Sequence, residues 1–248
     1  TISDYIPLDF SRSEKFDFNG DWVEGNTSGI LYKEIKQYSR QNKTRPYVFF
    51  AAILSSLLYK LSSYKDITVA SAISTRSLKY MQSFGPFVNT MLLRQVLNDG
   101  MESYSNLLAS THDTIQQAID NSGTSFSSLI SQLRKERNIG EHIYQCMYVY
   151  NSNDFETFSN QHLSMRLFLI NNKSAKCDLT LYIFDCGNDF KIKLEYATSI
   201  FKKETIKLLL DSLIQLAKNV VRYPGYTLSD QINHNDSSVK IYESGEKV

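Results

Sequence analysis

The chain has 248 residues, 42% of them hydrophobic and 21% charged, with a formal net charge of +1. That is the composition of a soluble globular protein, long enough for one large domain with a real core or two small ones. Lys and Arg are interspersed with Asp and Glu, which argues against nucleic acid, a membrane surface or an acidic polymer as partner.

Residues 1–28 are polar and aromatic without a period and read as an extended lead-in, with Trp22 as its anchor on the domain. Residues 29–42 read as a helix. The clearest helix follows, with Thr44 as its cap, Pro46 in its first turn, and Phe50, Ile53, Leu54, Leu57, Leu58 and Leu61 on one face. "DITVASAIS" (66–74) is β-branched and free of breakers, hence a buried strand. "TRSLKYMQSFGP" reads as a loop and "FVNTMLLR" (87–94) as the next strand.

Residues 101–119 predict a second amphipathic helix, with Tyr104, Leu107, Leu108, Ile115, Ala118 and Ile119 on one side. "DNSGTS" breaks it, and a short helix follows with Phe126, Leu129, Ile130 and Leu133 inward. Strands are expected at 143–150 and 163–170, with a polar loop between them. "LTLYIF" and "FKIKLEY" form a hairpin, in which Phe190, Ile192, Leu194 and Tyr196 alternate with Lys191, Lys193 and Glu195 and leave one face wet. The last helix runs over about 203–221, and residues 226–248 read as a linker or tail. This order predicts an α/β (α+β sandwich) fold with a mixed sheet covered by helices.

Chemistry in the chain itself is sparse. The cysteines, Cys146, Cys177 and Cys186, are odd in number and lack C-x-x-C spacing, so they read as reduced thiols of a cytoplasmic protein. No two Cys or His have ligand spacing, and no metal is expected. His112 stands beside Asp113 on a helix, where neighbours diverge by about 100° and form no relay. His142 and His162 fall in loops and His234 in the tail. Asp185 and Asp189 flank a hairpin turn, which explains them better than calcium does. Charges at Asp4, Asp9, Arg12 and Glu14 argue against a signal peptide. The longest apolar run, Pro46–Tyr59, is too short to span a bilayer. Thr1 in place of an initiating methionine points to a piece of a longer chain.

Several stretches together resemble one family. "SFGPFVNTMLLR" resembles the I-G-x-F-V-N-T-x-x-x-R motif of condensation domains in nonribosomal peptide synthetases. "ERNIGEHIYQCMYVYNS" is similar to the family's R-D-x-S-R-x-P-L-F-Q-V-M-F segment, "AKCDLTLYIF" to A-K-F-D-L-T-L, and "LEYATSIFKKETI" to L-E-Y-A-T-D-L-F-x-x-x-T-I. "IPLDFSR" sits where the family has L-P-x-D-x-P-R, and the matches keep their order from about residue 6 to 230.

The resemblance implies a chloramphenicol acetyltransferase-like lobe, the second of two that form a V around a tunnel. It divides the chain into a lead-in or crossover (1–28), the C-terminal lobe (29–225) and a tail (226–248). The family's catalytic His-His-x-x-x-Asp-Gly belongs to the first lobe, so no catalytic residue is expected in this chain. Arg76, Gly85, Phe87 and Asn89 are implied as active-site support. Arg76 would pair with the Asp of the missing motif, or be an exposed loop arginine; without the first lobe it would be left unpaired and solvated. The loop from about Leu78 to Phe87 would floor the tunnel. Asn89 would tie loop backbone to strand rather than touch substrate. No cofactor would bind directly; phosphopantetheine would arrive on donor and acceptor carrier proteins. The other partners implied are the N-terminal lobe and an adjacent adenylation domain, with a homodimer through the exposed inter-lobe face. "NSGTSFSS" and "RNIGEHI" depart from the family pattern. They motivate a second expectation, a degenerate lobe that only docks carriers or neighbouring domains. A third is a different acyltransferase of the same superfamily.

Overall fold

A computed structural model describes residues 6–13, 15–62, 64–97, 103–137, 144–152, 157–166 and 170–233. In chain order the strands are β1 (Gly20–Asn26), β2 (Asp66–Ser74), β3 (Val88–Val96), β4 (Cys146–Asn151), β5 (Thr157–Ser159), β6 (Ser164–Arg166), β7 (Leu179–Asp185) and β8 (Phe190–Ala197). The helices are α1 (Gly29–Gln41), α2 (Pro46–Ser62), α3 (Tyr104–Asp120), α4 (Phe126–Arg137), α5 (Lys203–Arg222) and α6 (Leu228–Asn233). Six strands form one mixed sheet in the order β1-β8-β7-β4-β2-β3, and β5 pairs β6 in a separate ribbon. The expected α/β architecture is the one observed.

Strand alternation makes the core. Val23, Leu194, Leu181, Tyr148, Ser71 and Met91 lie in one register row across the whole sheet. All six are buried on the same face. The central α2 is apolar nearly all round, with Val48 through Leu58 buried, as a helix enclosed by other elements must be. Its Ser55 and Ser56 hydroxyls avoid an unpaired polar group by donating to the carbonyls of Ala51 and Ala52. α1 begins at Ser28, whose hydroxyl accepts from Leu31 N–H.

The next register row, Trp22, Glu195, Thr180, Met147, Ala70 and Leu92, points to the other face. Trp22, Met147 and Leu92 there are only half-buried. The wet face expected for β8 is not found. Lys193 and Glu195 are 7% and 8% exposed, because Trp22 of β1 and Tyr182 of β7, the strands on either side, cover that face. The Lys193 ammonium sits 3.9 Å from the Trp22 ring centre and 4.4 Å from that of Tyr182. Burial lowers the Lys193 pKa and raises that of Glu195, 3.9 Å away, against their mutual attraction.

Other expectations shift too. The lead-in contributes a sheet strand, β1, inside what read as unpatterned chain. Gly20 is required at its entry, since a Cβ there would fall 2.4 Å from the Ala175 nitrogen. Thr44 does not cap α2; its buried hydroxyl has no partner among the described residues, and Arg45 C=O accepts from Val48 and Phe49 N–H instead. Leu129 and Ile119, expected inward, are 39% and 41% exposed. Of the strand expected at 163–170 the described part is Ser164–Arg166, paired with β5 inside the expected polar loop. The tail expected from residue 226 begins with α6, whose Leu228 is fully buried, while Thr227 bridges Ser103. Residues 234–248 lie outside the described residues.

The hairpin start holds a polar hub. Asp185 accepts from Lys36 Nζ at 2.6 Å, Tyr32 OH at 3.0 Å, Tyr150 OH at 3.1 Å and Gly187 N–H at 3.2 Å. Burial pushes this carboxyl up, but Lys36, Gly187 and Tyr32 outweigh it and hold the pKa below its ordinary value. A depressed carboxyl stabilises the fold above its unfolded pKa, and that stability disappears as pH falls through the folded value. We therefore expect Asp185→Asn to flatten the loss of stability between about pH 5 and about pH 2. Denaturant midpoints across that range check it, and an unchanged slope contradicts it.

Candidate functional site

The loop between β2 and β3 is built around Arg76. Its Nη1 donates to the Tyr80 carbonyl at 2.8 Å and to the Ser83 carbonyl, and Nη2 donates to the Gly85 carbonyl at 2.9 Å. The guanidinium also stacks 4.2 Å from the Phe87 ring centre, and Tyr80 stacks on Phe87 at 5.7 Å. Thr75 N–H donates to Phe87 C=O and closes the loop base. Gly85 has φ 139°, a backbone state that side chains disfavour. Arg76 is therefore not left unpaired: the planar fork, with several fixed donors, folds the loop over itself.

This closure pushes apolar side chains outward. Leu78, Met81, Phe84 and Val88 are 90%, 62%, 108% and 68% exposed. Together they form an exposed apolar ridge along the loop and the start of β3.

Asn89 binds a different loop from the one expected. Its amide nitrogen donates to Ser122 C=O at 3.1 Å and Thr124 C=O at 2.8 Å, while its oxygen accepts from Phe126 N–H at 3.1 Å. It thus ties β3 to the α3–α4 turn and supplies an acceptor to the first turn of α4. That answers the cost of a polar residue in an apolar strand: every bonding direction is used. Arg76, Gly85 and Phe87 form one cluster, and Asn89 sits at the adjoining start of β3.

The comparisons decide the family. The condensation domain model matches residues 2–238. The chain belongs to the condensation domain family. Surfactin synthase subunit 2 of Bacillus subtilis (strain 168) is 28% identical over 90% of this chain and 6% of its own length. Gramicidin S synthase 2 of Brevibacillus brevis is 25% identical over 91% of this chain and 5% of its own length. This condensation-family chain thus spans well under a tenth of those relatives. The four-domain nonribosomal peptide synthetase AB3403, solved with AMP and glycine, superposes with a TM-score of 0.82. It is 16% identical over 91% of this chain and 18% of that one. The condensation domain of the Monacolin K polyketide synthase MokA gives a TM-score of 0.76 at 18% identity over 92% of this chain and 55% of that one. The X-domain from teicoplanin biosynthesis gives 0.78 at 15% identity over 91% and 52%.

The structure joins condensation-family motifs that the sequence keeps far apart. Arg12 of "IPLDFSR" makes a two-pronged ion pair to Asp178 of "AKCDLTLYIF", at 2.8 and 2.6 Å. Asp9 accepts from Lys202 N–H at 2.8 Å and the Thr205 hydroxyl at 2.9 Å, capping α5. Neither partnership has a local sequence signal, since the partners lie 166 and 193 or more residues apart. Among the described histidines, His112 and His162 are exposed. His142 and most of "RNIGEHI" lie outside the described residues. Among the described residues there is no group of three His, Cys, Asp or Glu that could hold a metal, and no helix long and apolar enough to cross a membrane.

Arg76→Ala tests the loop. We expect hydrogen exchange over residues 75–87 to rise about tenfold, with global stability changed by less than about 1 kcal/mol. Arg76→Lys should not rescue it, because an ammonium lacks the planar fork. Unaltered exchange in the alanine variant contradicts the staple.

Proposed function

We propose that this chain is the C-terminal lobe of a peptide-synthetase condensation domain, supplying one wall and the floor loop of a two-lobed tunnel. The observation that carries the reading is the Arg76-stapled loop, which presents Leu78, Met81 and Phe84 to a surface this chain does not itself provide. Coverage of about half of solved condensation-domain chains supports the same division. The loop from about Leu78 to Phe87 is the floor, and Arg76, Gly85 and Phe87 set its shape. Asn89 holds the strand behind it against α4.

The reaction is amide formation. The amine of an acceptor carrier-bound aminoacyl group attacks the donor carrier's thioester carbonyl. The C–N bond forms, the C–S bond breaks, and the proton leaving nitrogen ends on the released thiol. The base belongs to the His-His-x-x-x-Asp-Gly motif of the first lobe. Once assembled, that lobe's Asp would compete with the loop carbonyls for Arg76. This chain contributes orientation, since both reactants are held in one channel. Phosphopantetheine belongs to the carriers and not to this lobe. An adjacent adenylation domain loads the acceptor. The buried thiols Cys146 and Cys177 support a reducing, cytoplasmic setting. Without its partner the lobe pairs with itself through the same ridge.

The discriminating experiment reads the segment upstream and supplies it. With an intact first-lobe motif, the two lobes together should form the amide from two loaded carriers. Carrier binding without amide formation, despite an intact motif, would instead establish the docking module.

A further inference from the structure

The even spread of charge breaks down between Glu34 and Asp66. That stretch has no acid and carries Lys36, Arg40, Lys43, Arg45, Lys60 and Lys65. Lys36 is taken by Asp185. Arg40, Lys43 and Arg45 gather on the turn between α1 and α2, where all three are exposed. Among the described residues their side chains have no hydrogen-bond or ion-pair partner. The turn lies at the end of the sheet that carries the floor loop. Tyr47, at the start of α2, meets the Ser71 hydroxyl of β2 at 3.0 Å and the rings of Tyr148 and Tyr150 of β4 at 5.2 and 5.9 Å. β2 then ends at Ser74 and runs into that loop.

The turn has a defined shape. Lys43 N–H donates to Arg40 C=O at 3.0 Å and Thr44 N–H to Ser39 C=O at 2.9 Å, the two bonds of a Schellman closure of α1. The Asn42 side-chain amide adds a third, to Tyr38 C=O at 2.9 Å. The left-handed position of that closure, where glycine is usual, is held by Lys43 at φ 53°. A lysine there places a charge on the turn at the expense of backbone comfort. Arg40 and Lys43 also suit the negative end of α1. Arg45 has no such reason, since the first turn of α2, which follows it, contains no acid.

We propose that this turn docks a carrier protein, with Arg40, Lys43 and Arg45 facing the phosphodiester at the root of its phosphopantetheine arm. The inference rests on the two-lobed condensation reading and adds to it the surface on which a carrier sits. A phosphodiester is a compact, permanent anion, and arginine and lysine are the side chains that bind it. The arm stays covalently on the carrier throughout. Because the three cations are solvent-exposed, they govern encounter and salt dependence rather than the bond-making step.

The test uses this chain together with its first lobe, titrated by calorimetry with the donor and the acceptor carrier in two forms, one bearing the arm and one with the bare serine. Arg40→Gln with Arg45→Glu should weaken binding of at least one armed carrier by about tenfold and flatten its salt dependence. Binding of the same carrier with a bare serine should change much less. Thermal stability should be kept, since both side chains are exposed. Lys43→Gly removes a charge and relieves the backbone, so it should weaken binding severalfold without loss of stability. In amide formation the double variant should raise the KM for that carrier and leave kcat in place. Unchanged affinity for both armed carriers, or an equal loss for the armed and bare forms, overturns the proposal. Amide formation with a KM indifferent to the charges removes this inference alone, whereas a two-lobed domain that neither binds carriers nor forms amide contradicts the condensation reading beneath it.

Discussion

Arg12→Ala is expected to cost the fold about 3–5 kcal/mol, because it strands the Asp178 carboxylate in a nearly dry site. Asp178 is 3% exposed and meets Arg12 in two short bonds, at 2.8 and 2.6 Å. The pair fastens the lead-in across the start of β7, next to where Ala175 N–H meets Phe18 C=O and Gly20 N–H meets Lys173 C=O. Losing it loosens the segment that becomes β1. The cost comes from burying one charge alone and not from a large gain in forming the pair. Arg12→Met combined with Asp178→Leu should therefore recover most of the loss. Urea denaturation of the three variants is the measurement. A penalty for Arg12→Ala under about 1 kcal/mol would show that the pair behaves as a solvated surface contact.

The second large effect concerns assembly. Leu78→Asp and Phe84→Asp should leave the isolated chain's stability within about 0.5 kcal/mol, since both side chains already face water. On the proposed two-lobe reading, each should weaken association with the first lobe by about 30-fold, the value of an interface anchor of about 2 kcal/mol. Titration calorimetry with the separately prepared first lobe reads this directly. Unchanged affinity for both variants would mean that the ridge faces solvent in the assembled domain as well.

The helices and the sheet strands were legible wherever one periodicity dominated. The apolar positions of Phe190–Tyr196 and the helical stripe of Ile206–Val220 each met a continuous core. β1 was hidden because its inward residue, Val23, stands between Trp22 and Glu24, and its pairing with β8 is 171 residues away at the Val23–Leu194 step. The polarity of Lys193 and Glu195 misled for a related reason. Alternation shows which side chains share a face, but not whether Trp22 and Tyr182 will cover them. Arg76 and Asn89 could be singled out from their motifs, yet their partners could not. A guanidinium takes whichever carbonyls the loop brings near, and Asn89 found the α3–α4 turn 33 to 37 residues on.

The decisive measurement mixes this chain, its separately produced first lobe and two loaded carrier proteins, and follows the amide by mass spectrometry. The account predicts product only when both lobes are present, and none from this chain with the carriers alone. Amide formed by this chain without the first lobe would place the proton-handling group here and contradict the account.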